Sequence, residues 1–206
     1  MSKLIAGAPL TGVPGRFRVQ LAPDGLRLVQ ELLNTAAVPR TGKPDLLADP
    51  VTADVWLRDM GALDDTRPPA DTAGEPAGEL RALVELREYL RETLIARADG
   101  TSLPTREREH ELTLTARLFT DGSVSIEASP RGAAAIRALL PIELYAARLT
   151  GTWQRLKVCS NPECRVAFYD RSRNTSGVWH DVRTCGNSAN LKASRARRRA
   201  GADRQP

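Results

Sequence analysis

Three cysteines and a histidine carry the chemistry legible in this sequence: Cys159, Cys164, His180 and Cys185. Four residues separate the first two cysteines, and the turn-forming pair Asn161-Pro162 among them lets both sulfurs face one point. Fifteen residues then intervene before His180, a length that suits a short hairpin, and four more before Cys185. Zn2+ favours four tetrahedral nitrogen and sulfur ligands, and a closed Cys3His set is a structural arrangement with no position left for a substrate water. The expectation is one structural Zn2+ per chain, held by the three cysteines and His180, with Asp181 or a water as alternatives for the fourth ligand. Two other readings compete: unrelated reduced thiols, or a Cys159–Cys164 disulfide with Cys185 free. An odd cysteine count in a chain whose first residues do not read as a secretory signal argues against a disulfide framework.

Three thiolates and a neutral imidazole leave such a site with one net negative charge. Arg165, Arg183 and the start of the helix expected after Cys185 are the sequence's candidates for balancing it. The apolar residues around the cluster are few: Val158, Val166, Phe168, Tyr169, Val178, Trp179 and Leu191. A core that small is marginal alone, so bound metal would decide whether the segment folds.

Positioning these ligands falls to the rest of the chain. At 206 residues with 41% apolar and 27% charged content, it can bury a core, and its length suits one domain plus a small module. Alternating Phe17, Val19 and Leu21 predict a short strand. A helix is expected over Gly25 to Ala37, capped by Asp24, and another over Thr52 to Met60 with Val55, Trp56 and Met60 inward. Residues 62–77, rich in proline, glycine and acid, read as an exposed loop. The clearest helix spans Gly78 to Ala98, where Leu83, Leu86, Leu90 and Leu94 form a stripe of the kind that packs into a core. Leu112 to Leu118 and Val124 to Ala128 alternate about Asp121-Gly122, a hairpin signature with one face on the helices. Helical character returns from Arg131 to Leu156. There Pro141 is expected to start a second helix, lined by Ile142, Leu144, Tyr145, Leu149 and Trp153. The predicted fold class is α+β: a mainly helical domain with a β-hairpin over 1–152, a treble-clef-like zinc module ending in a basic helix over 153–200, and a disordered tail over 201–206.

Charge divides along the same line. Residues 153–206 hold 12 Lys/Arg against 4 Asp/Glu, a net +8, while residues 1–152 carry −3. A basic module attached to an acidic body suggests contact with nucleic acid or another anionic surface, with a solvated basic tail as the plain alternative. Beyond Cys185, Lys192, Arg195 and Arg199 share one face of the expected helix with Arg198 beside it, and Arg197 is a further candidate contact from the same run. Arg171, Arg173 and Arg183 would extend that surface.

The motif Cys159-x4-Cys164, Phe168-x-Asp170-x-Ser172-Arg173-Asn174, Trp179 and Cys185-Gly186-Asn187 resembles the CGNR zinc finger family. Members usually read Trp-Cys before this motif and Arg after it. Here His180 replaces that cysteine, keeping a zinc-competent ligand, and Ser188 replaces the arginine, removing a positive charge. The N-terminal part is similar to the ABATE-type domain that precedes this finger. Leu28-Val-Gln-Glu-Leu-Leu-Asn34-Thr35, Asp45-Leu-Leu, Trp56-Leu57 and Leu83-x-x-Leu86-Arg87 carry the likeness. The resemblance implies a stress-induced transcription regulator.

The functional expectation is therefore a zinc-dependent regulator that binds duplex DNA. Its N-terminal domain would act as a sensor of a small effector or as a homodimerisation unit. The alternative is an RNA- or protein-binding adaptor using the same basic module. An enzyme is the weaker third reading. Arg40-Thr-Gly-Lys43 lacks the upstream glycine of a phosphate loop and is followed by Pro44, and His110 stands alone beside acidic neighbours. No apolar run nears the roughly 20 residues of a membrane-spanning helix, so a cytoplasmic protein is expected.

Overall fold

The computed structural model describes residues 16–63, 77–105, 107, 112–128, 131–188 and 191. The expected loop over 62–77 therefore lies almost wholly outside the described residues. His110, the run Lys192, Arg195, Arg197, Arg198 and Arg199, and the tail over 201–206 also lie outside them.

Helix α1, Leu26–Leu33, buries Leu26, Leu28, Val29, Leu32 and Leu33 together with Gln30 and Glu31, so almost its whole surface is covered. Asp24 does not cap it through its side chain. It adopts a left-handed backbone (φ 48°), and its carbonyl oxygen accepts from Arg27 N–H, so Gly25 becomes the cap. Helix α2, Pro50–Asp59, is capped as physical chemistry prescribes. Asp49 Oδ1 accepts from the N–H groups of Val51 (2.6 Å) and Thr52 (3.1 Å), and Pro50 fills the first position, where a missing N–H costs nothing. Its inward face is Ala53, Trp56, Leu57 and Met60. Val55, expected inward, is exposed because it lies on the opposite side of the 3.6-residue turn. Replacing Asp49 by Ala is expected to cost about 1 kcal/mol, read as a lower denaturant midpoint at unchanged slope.

Helix α3, Ala77–Asp99, packs the stripe Leu83, Leu86, Leu90 and Leu94 into the core, as expected. Helix α4, Ala133–Leu149, runs straight through Pro141 instead of restarting there. An interior proline costs about 3 kcal/mol, but Ala133, Ile136, Leu139 and Leu140 on one side and Ala147 on the other bury against the same core. Each large aliphatic so buried contributes about 1.5–3 kcal/mol, so continuing the helix wins. Tyr145 and Leu149, expected to line this helix, are exposed, since the buried face runs through 136, 140, 143 and 147. Trp153 is buried just beyond, in the 3-10 turn Trp153–Arg155.

Strands β1, Leu114–Leu118, and β2, Val124–Ala128, form the expected antiparallel hairpin, with Ala116 opposite Ile126. Only its base, Leu114, Ile126 and Ala128, leans on the core, while Leu118, Phe119 and Val124 near the tip are exposed. The hairpin outruns the helical layer, so only part of the predicted face is covered. A second pair, β3 (Leu156–Val158) and β4 (Ala167–Tyr169), is also antiparallel, and Leu156, Val158, Ala167 and Tyr169 share the core of the helices.

The predicted strand over Phe17 to Leu21 is absent. The free edge of β4 is occupied by a side chain instead: Asn34 Oδ1 accepts from Ala167 N–H (2.8 Å), and Asn34 Nδ2 donates to Ala167 O (3.0 Å). That amide mimics a paired peptide. Only Tyr169 N–H remains on that edge for the 17–21 segment, donating to Gln20 O (3.1 Å), and one bond does not make a ladder. Buried Gln30 also holds the segment, accepting from Ala22 N–H (2.6 Å) and donating to Gln20 O (2.9 Å). Alongside, Arg87 donates two bonds to Asp45 (2.7 and 2.6 Å) and one to Thr35 Oγ1 (3.0 Å), a charge-assisted clamp between α3 and the segment after α1.

Candidate metal centre

Cys159 directly follows β3, and its N–H donates to Val166 O (2.9 Å), folding the chain back on itself. Asn161 shapes the knuckle. Its Oδ1 accepts from Glu163 N–H (3.0 Å) and its carbonyl from Cys164 N–H (2.9 Å), which brings the second cysteine under the first. The return limb is tied in where Ser160 N–H donates to Val178 O (2.9 Å). Cys185 lies in the π-type turn Val182–Gly186, capped by Asp181, whose Oδ1 accepts from Arg183 N–H (2.7 Å) and Thr184 N–H (3.3 Å). Asp181 is thereby spent on the backbone. Desolvation pushes its carboxyl up, but those donors outweigh it and hold the group below its ordinary value. It is not among the side chains that converge on the cluster.

The four expected ligands converge. One ligand atom from each of Cys159, Cys164, His180 and Cys185 lies within 4.8 Å of all the others. His180 Nδ1 is 3.4 Å from Cys164 Sγ and 3.6 Å from Cys185 Sγ. Bond lengths of about 2.0–2.3 Å to zinc in a tetrahedron imply ligand–ligand edges of roughly 3.5–3.8 Å, so the donor set fits the ion. The three cysteines are buried and unpaired by disulfide. Together they suit one structural zinc ion. The thiols are unequal: a hydrogen bond from Cys164 pulls Cys159 down to about 4 against the cost of burial. Cys164, the donor in that bond, is pushed up, as is Cys185, by burial and by the neighbouring Cys159 charge. Zinc binds the thiolate form, so metal uptake releases thiol protons.

Packing around the cluster draws on the whole chain. Val38 and Val166 are buried against the cysteines, with Phe17, Val19 and Trp179 partly buried beside them. Gly186 admits Trp179: a Cβ there would sit 3.2 Å from the indole Cδ1 and 3.3 Å from Val182 Cγ1. Of the apolar residues expected to line the module, Val158, Val166, Phe168 and Tyr169 are buried, whereas Val178 and Leu191 are exposed.

Below the ligands, Asp170 organises the loop that leads back to His180. It is buried and accepts from Lys157 Nζ (2.7 Å), Ser172 N–H (2.9 Å) and Gly177 N–H (2.7 Å). Desolvation would raise its carboxyl, but these donors hold it far below the ordinary range. Gly177 is required by this contact, since a Cβ there would lie 2.9 Å from the Asp170 carboxyl carbon. Lys157 also donates to Thr175 O (2.5 Å) and Gly177 O (3.0 Å).

The basic residues fare differently. Arg165, expected to balance the metal charge, instead forms a two-pronged pair with Asp99 at 2.9 and 2.7 Å. Arg171, Arg173 and Arg183 are exposed. Arg171 donates to Leu21 O (3.3 Å), and Arg183 touches none of the sulfurs among the described residues. The cation that does reach the cluster went unread. Arg40 donates from Nη1 to Cys185 Sγ (3.1 Å) and from Nη2 to Thr184 O (3.0 Å). It belongs to the segment whose likeness to a phosphate loop fails, and no local spacing marks its target.

Comparison with known proteins agrees with this geometry. No curated protein matches the chain. The profile described as the CGNR zinc finger matches residues 155–198, and the ABATE profile, described as "Putative stress-induced transcription regulator", matches residues 26–158. The chain thus belongs to the ABATE family and carries a CGNR zinc finger.

Proposed function

We propose that this protein is a zinc-dependent DNA-binding transcription regulator. In this reading Cys159, Cys164, His180 and Cys185 hold one structural zinc within a finger module over residues 153–200, and residues 1–152 form the sensor or dimerisation domain. Duplex DNA is contacted by Arg171, Arg173 and Arg183 and by Lys192, Arg195, Arg197, Arg198 and Arg199. The observation that carries it is the joining of a net +8 segment to a Cys3His cluster with three buried cysteines, together with exposed Arg171, Arg173 and Arg183, which pair with no carboxylate among the described residues. Rigid support orients the guanidinium groups, and their charge displaces condensed counterions from phosphate. A groove of about 390 Å³ beside α3, lined by Tyr89, Glu92, Arg97 and Thr101 among others, is the place we assign to a small effector. No helix is long and apolar enough to cross a membrane among the described residues.

The test is a fluorescence-anisotropy titration of labelled duplex DNA over a range of salt, with random duplex and single-stranded RNA as competitors. Affinity should fall steeply with salt. Each of Arg171→Ala, Arg173→Ala and Arg183→Ala should reduce the logarithmic salt slope by about 1 if that side chain neutralises a phosphate. Binding no tighter than to random competitor would reject a sequence-specific regulator, and preference for single-stranded RNA would favour the adaptor.

A further inference from the structure

A metal site with one net negative charge on three buried cysteines favours a cation close by. Among the described residues the structure offers one at hydrogen-bond distance from a ligand sulfur, and it comes from 145 positions upstream. Arg40 lays one arm of its guanidinium on Cys185 Sγ (3.1 Å) and the other on Thr184 O (3.0 Å). Its backbone is held for the purpose. Arg40 sits in the 3-10 turn Pro39–Thr41, closed by Val38 N–H donating to Lys43 O (2.9 Å) and Thr41 N–H to Val38 O (3.0 Å). Val38, the residue that starts this turn, is itself buried in the apolar shell of the cysteines.

We propose that Arg40 is a positioning residue of the metal centre: a guanidinium from the N-terminal helical body that clamps and partly neutralises the Cys185 thiolate. The inference rests on the four-ligand reading of the site. Two consequences follow from thiolate chemistry. An N–H donated to a ligand sulfur draws charge from it, stabilising the anionic complex. The same group covers a lone pair that an electrophile or oxidant would attack, since the thiolate is the reactive form. Lysine would keep the charge but not the planar fork that reaches sulfur and carbonyl together.

The experiment uses the full chain as wild type, Arg40→Ala, Arg40→Lys and, as a control, Arg81→Ala, an exposed arginine of α3 paired with Glu85. Zinc content per chain is measured first, then zinc affinity by competition with a chromophoric chelator. The cobalt-substituted protein's thiolate-to-metal charge-transfer band and the rate of zinc release under N-ethylmaleimide are also recorded. Arg40→Ala is expected to weaken zinc binding on the order of 10-fold or more, shift the charge-transfer band and speed release, with Arg40→Lys between it and wild type and the control unchanged. If Arg40→Ala does not fold, a loss and band shift in Arg40→Lys still supports the role. Wild-type affinity and an unmoved band in whichever Arg40 variant folds would overturn it. Wild-type protein that takes up no zinc would instead overturn the ligand set itself.

Discussion

Full-length protein stripped of zinc, or carrying Cys159→Ser, is expected to lose the fold of the β3–β4 segment and to melt well below the wild type. Metal binding contributes an apparent 10–16 kcal/mol in small zinc modules at neutral pH, which matches or exceeds the roughly 5–15 kcal/mol that holds an entire domain together. Here the loss should not stay local. Val38, Phe17 and Val19 pack on the cysteines, and Leu156, Val158, Ala167 and Tyr169 pack into the helical core, so the two regions share walls. Trp179 stands against both Gly186 and the cluster, so its fluorescence should report metal removal directly. Serine at 159 offers a poor zinc ligand in a fully buried position and should reproduce the chelator's effect. Identical melting curves and unchanged indole emission with and without metal would contradict a structural role for the ion.

Asp170→Ala is expected to cost about 3 kcal/mol or more, the second largest effect. The carboxylate is buried and serves three donors, one of them the Lys157 ammonium. Removing one partner of a buried ion pair leaves the other desolvated and uncompensated, which typically costs 3–5 kcal/mol. Lys157 would keep the carbonyls of Thr175 and Gly177, which softens the loss without replacing the charge. The pH dependence has a definite sign. The folded-state carboxyl is held below its unfolded value of about 3.9, so its stabilisation is complete above that pH and is lost as pH falls through the lower folded value. Acid also expels zinc, so the quantity to measure is the stability difference between wild type and Asp170→Asn. That difference should be flat from neutrality to about pH 4 and shrink below it. A difference that grows on acidification would contradict the assignment.

Local patterns carried most of what the sequence told. The leucine stripe of α3 and the spacing of the four metal ligands depend on period and turn chemistry, and both reappear in the structure. The errors arise where distant partners override local preference. Pro141 predicts a break, yet the helix passes through because both flanks bury in one core. Alternation at 17–21 predicts a strand, but Asn34, 133 residues from Ala167, already fills the edge it would need. Arg40 and Cys185 are 145 residues apart, and nothing in the neighbourhood of either names the other. Arg87, by contrast, sits in a segment that the sequence likeness singles out, and only its carboxylate partner had to be found.

Residues 155–158 fall inside both family matches, and in space they are essentially β3. Leu156 and Val158 are inserted among the helices, while the same backbone pairs with β4 beneath the cysteines. The chain therefore has no seam at which recombination could exchange one half and leave the other intact. A transplanted finger would bring a foreign strand into the helical interior, and a transplanted helical half would strip the finger of its own. Chimaeras of this architecture should succeed only when that strand matches both neighbours, which binds the inheritance of the two halves together.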